Sequence, residues 1–231
     1  MFINIKGDTS LLIELLHHTE LLNEVIVHGK TADNTTAASN TITRLNIEEN
    51  SYRNLADLID GIPGVSVIKN GSGVSKPVVH GLSGNRVAVL NNGVVQSGQQ
   101  WGSDHAPEVD PFVAEHISVV KGAAALQYPT NALGSIIMVE AADLENDPHL
   151  HGSVNYALAS NGWGHTLSTQ LSQRKGTWGW QLTTTGKQSG DTRTPDYYLT
   201  NTGKREANLA LQIEKEWSSN WTTKLYASTF N

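Results

Sequence analysis

From residue 150 onward the chain alternates between apolar and polar positions. Leu150, Gly152, Val154, Tyr156 and Leu158 interleave with His151, Ser153, Asn155, Ala157 and Ala159. Leu167, Thr169 and Leu171 interleave with Thr166, Ser168, Gln170 and Ser172; Trp178, Trp180, Leu182 and Thr184 with Gln181, Thr183, Thr185 and Lys187; Ala207, Leu209, Leu211 and Ile213 with Asn208, Ala210, Gln212 and Glu214. Residues 221–230 repeat the pattern less cleanly. A period of two is the side-chain repeat of a strand. The pattern predicts five strands, each with one apolar and one polar face. Each segment is about ten residues, the length of a transmembrane β-strand (about 9–11), against a mode of about 5–6 for strands in general. The connections Lys175-Gly176 and Ser218-Ser219-Asn220 are short, and residues 189–204 form a long polar loop. Membrane barrels put short turns at their periplasmic end and long loops outside. With the first strand running outward, Trp178, Trp217 and Trp221 all fall beside short turns, where an aromatic girdle sits. A soluble β-sandwich also alternates, but strand length and tryptophan placement favour the membrane wall.

Residues 41–140 have a different texture. Leu55, Leu58, Ile59 and Ile62 make a helical stripe and predict a helix over residues 51–62. Asn50 or Ser51 would cap it, Gly61 would close it and Pro63 would stop it. Strands are predicted over residues 65–68, 77–80, 86–90 and 135–139, with a hairpin turn at Asn92-Gly93 and a return to order over residues 112–120. This is a mixed α+β module large enough for its own core. Residues 98–111 have no period and read as a polar loop. Residues 2–27 are apolar in patches and read as two or three strands of something larger. At their end, Glu24, Val25, Ile26, Val27, His28 and Gly29 form an extended segment, followed by a linker-like stretch over residues 30–40. On pattern alone that segment is the last strand of a preceding module. The alternative is a tethered segment for β-strand addition to a partner's sheet.

Composition narrows the function. Only 16% of the 231 residues are charged, against about 25% in soluble domains. A net charge of −6 without a Lys/Arg cluster argues against a nucleic-acid partner. The absence of cysteine excludes thiol chemistry and Cys-based zinc sites. No apolar run is long enough for a transmembrane helix. No secretory leader is visible, so either the protein stays in the cytosol or its true start lies elsewhere. No phosphate-binding Gly-Lys-Ser/Thr motif is present, and no catalytic residues are predicted. The loop does carry Asp104-His105, with Glu108 and Asp110 beyond. Imidazole nitrogen and carboxylate oxygen suit Zn²⁺. Glu108 and Asp110 are expected to form and cap turns. His149 and His151, on one side of a strand, could chelate a metal but are expected to be polar lumen residues. A His/Asp metallohydrolase is disfavoured because no general base accompanies the pair at suitable spacing.

Four motifs in order resemble the TonB-dependent outer-membrane receptors. Residues 54–67, a helix running into Pro63-Gly64-Val65, are similar to the opening of that family's plug domain. His80-Gly81-Leu82-Ser83-Gly84-Asn85-Arg86-Val87 and Leu90-Asn91-Asn92-Gly93-Val94 resemble its Arg-Gly segment and hairpin. Ile117-Ser118-Val119-Val120-Lys121-Gly122-Ala123 and Ala132-Leu133-Gly134-Ser135-Ile136-Ile137 resemble its closing motifs. The departures are His80 and Lys121 in place of Arg, Pro129 and Ser135 in place of Gly. They put an Arg-specific network between plug and barrel in doubt, since His and Lys lack the bidentate fork.

The resemblance implies an α+β plug domain (residues 41–145) followed by the first strands of a transmembrane antiparallel β-barrel (residues 148–231). The barrel is incomplete, because such receptors have about 22 strands. Residues 1–23 would be the remnant of an N-terminal β-sandwich extension, residues 24–29 a TonB box and residues 30–40 a linker. The implied function is import of a scarce nutrient across the outer membrane, with energy supplied by TonB through β-strand addition to residues 24–29. The protein would bind no cofactor. Its partners would be TonB, outer-membrane lipid and a metal or metal chelate. Asp104-His105 resembles the zinc-uptake branch, which makes zinc the expected substrate and that pair the contact. Siderophore or haem import is the alternative within the family, and a soluble β-rich binding or adhesion module the alternative outside it.

Overall fold

The computed structural model describes residues 40–70, 73–98, 105–128 and 134–231. The extended segment at residues 24–29, the pieces before it and the linker up to residue 39 lie outside the described residues, as does Asp104.

The first half is built on a five-stranded sheet. Strand β1 (Asn40–Thr43) lies at one edge and pairs antiparallel with β6 (His116–Lys121). β6 pairs antiparallel with β7 (Ser135–Glu140). β7 pairs parallel with β4 (Val87–Asn91), and β4 pairs with β5 (Val94–Gln96) across a tight hairpin. That hairpin has the predicted turn, with φ of 49° at Asn92 and 81° at Gly93. β4 is apolar on both faces and wholly buried, as a strand covered on both sides should be. A separate hairpin joins β2 (Val65–Lys69) and β3 (Ser75–Val79).

Two short helices cover the sheet. The predicted helix is shorter than expected, α2 being Leu55–Ile59, and its cap is Asn54, whose side chain accepts from Asp57 N at 2.9 Å. Neither Asn50 nor Ser51 caps it. Asn50 instead closes α1 (Arg44–Glu49), a helix the apolar stripe did not predict. Gly61 does not close α2 in a left-handed conformation; Gly64 is the residue with positive φ in that turn. Ile47, Leu55, Ile59, Phe112, Ile117 and Ile137 are essentially inaccessible and form the core. Each such side chain contributes about 1.5–3 kcal/mol by its burial.

The second half is an antiparallel meander of β8 (His151–Ala159), β9 (Gly164–Lys175), β10 (Trp178–Ser189), β13 (Lys204–Ser218) and β14 (Trp221–Thr229). A small ribbon of β11 (Thr192–Arg193) and β12 (Tyr198–Leu199) sits in the long loop between β10 and β13. The five strands are those the alternation predicted, and the cross-strand register is continuous from Trp178 to Ser189.

The meander is inverted relative to a water-soluble sheet. Its polar face is the buried one: Thr166, Ser168, Gln181, Thr183, Thr185, Asn208 and Gln212 are shielded. Ala210 joins the core of the first half. Its apolar face is bare, with Val154 70% and Leu225 60% exposed and Leu158, Leu167 and Leu209 alongside. A soluble sandwich buries the opposite face.

Candidate functional site

The segment that closes the polar loop is where the two halves meet. Asp110 caps a single 3₁₀ turn, Pro111–Val113, its carboxylate accepting from Phe112 N at 3.2 Å. This is the capping role expected of it. The Phe112 ring is buried between two cations. The Arg44 guanidinium lies 5.7 Å from the ring centroid and donates to Phe112 O at 2.6 Å. From the meander, the Lys187 ammonium lies 6.0 Å from the same centroid.

Lys187 is only 4% exposed. It stands 3.6 Å from Glu206 and donates to Arg53 O at 3.4 Å, so one meander lysine touches the first half at two places. A lysine this buried needs such partners. Burial pushes the Asp110 carboxyl above its ordinary range; the Lys187 charge and a Thr185 hydrogen bond pull against that shift. The sequence carried a signal for Lys187, which continues the shielded series Thr183, Thr185. Only the fold could show that Asp110 faces it.

Above this contact lies a cavity of about 190 Å³, lined by Tyr52 from the first half and by Thr166, Lys187, Gln188 and Lys204 from the meander. Lys204 is 4.0 Å from Glu206. A larger cavity of about 620 Å³ lies between the β8–β9 turn and the long loop, lined by Trp163, Asp191, Arg193 and Tyr198 among others. The two loops are laced together. Asn161 Nδ2 donates to Arg193 O at 2.9 Å, Arg193 N donates to Asn161 Oδ1 at 2.7 Å, and Gly190 N donates to Gly162 O at 2.7 Å. Thr202 N and Gly203 N each donate to Asp191 at 2.9 Å and hold its carboxyl below the usual range.

At the opposite end the meander is tied by charge. Arg174 contacts Glu214 and, at 2.8 Å, Glu216; Lys224 bridges Glu214 and Asp143, 3.0 Å from each. This Arg-centred network lies in the meander and in the segment entering it. At the departures, Lys121 Nζ donates to Pro63 O. His80 holds a positive φ, and its ring packs so close to Gly64 that a Cβ there would lie 2.9 Å from it.

The expected metal contact is only half described: His105 is exposed, and Asp104 is outside the described residues. Among the described residues no group of three or more His, Cys, Asp or Glu is arranged to hold a metal. Glu108 is exposed and lies against Gly98. His149 and His151 do not share a strand, because β8 begins at His151. Both turn instead to Asp147, at 2.7 and 3.0 Å. Hydrogen bonds from the His149 backbone and ring hold that carboxyl at about 2.

Residues 31–136 match the family model described as the TonB-dependent receptor plug domain. The vitamin B12 transporter BtuB of Photobacterium profundum is 21% identical over 207 residues, 83% of this chain and 32% of the transporter. The hemin receptor of Yersinia pestis is 33% identical over 111 residues, 46% of this chain and 16% of the receptor. Among solved structures, the FrpB iron transporter of Neisseria meningitidis superposes with a TM-score of 0.73 at 14% identity, covering 85% of this chain and 32% of that one. The chain thus spans about a third or less of the length of these proteins. The α+β first half has the fold of the plug domain it matches, and the meander has the arrangement of the antiparallel strands that follow that domain in the solved structure.

Proposed function

We propose that this chain is the plug and first wall strands of a TonB-dependent outer-membrane receptor that imports a metal or a metal chelate. The observation that carries the reading is the inverted meander: its polar face lies against a plug domain and its apolar face is bare. Lipid is the solvent that such an outer face suits. In this reading the short turns are periplasmic, the long loop is outside, and residues 24–29 are the segment TonB takes as an added strand. A pull on that segment reaches β1 first. β1 is an edge strand with four register pairs to β6. Arg44 follows directly and holds the turn that faces Lys187. The pull therefore leads toward the contact under the smaller cavity.

For the substrate we propose Zn²⁺, with Asp104 and His105 as two of its ligands and the rest from loops of the longer protein. A second reading, an anionic chelate such as a ferric siderophore or haem, is favoured by Lys187 and Lys204 at the smaller cavity and by relatives that carry hemin and iron. Calorimetry on the full-length protein separates the two. Zinc heats that vanish in Asp104→Ala/His105→Ala support the first. Heats for a ferric chelate, with none for zinc, support the second. Recovery of the full-length protein outside the outer-membrane fraction would refute both.

A further inference from the structure

The short-turn end of the meander carries a group of residues on its bare face for which import has no use. The register places Lys175 opposite Trp178, and Trp178 opposite Lys215. The three therefore form one row across β9, β10 and β13. Lys215 Nζ lies 4.4 Å from the Trp178 ring centroid and 5.4 Å from that of Trp217, and donates to Thr177 Oγ1 at 3.0 Å. Trp217 is itself pinned, its indole N–H donating to Thr223 Oγ1 at 3.1 Å.

The charge on this row is unbalanced. The nearest carboxylates along β13, Glu214 and Glu216, point to the other face and are taken up by Arg174. Among the described residues neither Lys175 nor Lys215 forms an ion pair. Two strand spacings separate the lysine backbones by about 10 Å, within reach of two long side chains converging on one group. Ring stacking supplies part of the solvation an ammonium loses near an apolar phase. It does not cancel the charge.

We propose that this row is a seat for the phosphodiester of a phospholipid with net negative charge. The glycerol-phosphate headgroup would lie between Lys175 and Lys215, over the edge of Trp178, with the acyl chains along the bare face toward Leu182 and Leu211. The proposal rests on the reading that this face meets lipid. Position argues for lipid as the occupant. The row lies where the apolar face gives way to the turns, the level at which Trp and Lys meet headgroups. Two unpaired cations match a phosphate.

The test uses the full-length protein reconstituted in vesicles of phosphatidylcholine alone or with one quarter phosphatidylglycerol. Quenching by brominated lipid is read as the difference between the parent and Trp178→Phe. The expected result is stronger quenching by brominated phosphatidylglycerol than by brominated phosphatidylcholine, with the preference falling about fivefold for each lysine removed in Lys175→Gln and Lys215→Gln. Lys175→Arg/Lys215→Arg should keep the preference, and heat-modifiable migration checks that each variant folds. Equal quenching by the two lipids, or a preference that survives Lys175→Gln/Lys215→Gln, would overturn the seat and leave the membrane reading intact. No quenching by either lipid would overturn the membrane reading itself.

Discussion

Arg174→Met tests whether buried charge fastens the segment between plug and wall. The Arg174 and Glu214 side chains are 6% and 2% exposed. Removing one partner of a buried pair leaves the other charged without compensation, which costs about 3–5 kcal/mol. Glu214 would keep Lys224 and Gln212, each at 3.0 Å, so the expected loss falls below that range, at about 2–3 kcal/mol. Lys224 also holds Asp143, and the Arg174 backbone N–H, which the substitution keeps, donates to Asp147 O at 3.1 Å, so a shift of β9 at this point should be felt over residues 141–150. Since about 1.4 kcal/mol is tenfold, amide exchange in that segment should quicken by roughly thirtyfold or more in the full-length protein. Adding Glu214→Leu removes the stranded carboxylate and should recover part of the stability in a denaturant titration. If Arg174→Met is within about 0.5 kcal/mol of the parent, or if the second substitution simply adds its own loss, the network does not hold the segment.

Three further outcomes follow from the geometry. Asp110 has a raised pKa, so the folded state binds its proton more tightly than the unfolded state. The contribution of this group to stability should be fully present below its unfolded value and be lost as pH rises through the raised one, a decline that Asp110→Asn should flatten in melting temperatures from pH 4 to 8. Gly134→Ala should cost about 1–3 kcal/mol in chemical unfolding, because its Cβ would lie 2.8 Å from Arg86 O and 2.6 Å from Leu82 Cδ1; no loss would mean the strand shifts freely. Leu209→Arg, on the bare face, should lower folding stability in lipid by about 2–4 kcal/mol if the site is near midplane, while Thr184→Ser, on the same face and uncharged, should not.

Much of this architecture was legible because strands of 9 to 15 residues repeat their period many times, and because Asn92-Gly93 permits few other turns. What stayed hidden was short or relational. Helix α1 has six residues, of which only Ile47 is buried. That is too few for a stripe, and its signal lay in the capping box between Thr43 and Asn46. Asn54 outcompeted Ser51 as a cap because residues 50–53 are spent closing α1. Lys187 stood in a shielded series, yet the groups it touches, on Phe112, Glu206 and Arg53, are far apart in sequence. No local pattern links them.

In the proposed receptor the apolar face of the meander meets lipid and its polar face the plug. Spin labels at Leu209→Cys and Ala210→Cys, adjacent positions on β13 with opposite faces, test it most directly in the full-length protein reconstituted in vesicles. The label at 209 is expected to be relaxed by oxygen and not by a water-soluble nickel chelate, and the label at 210 to be shielded from both. Nickel access at 209 with oxygen access at 210 would contradict it.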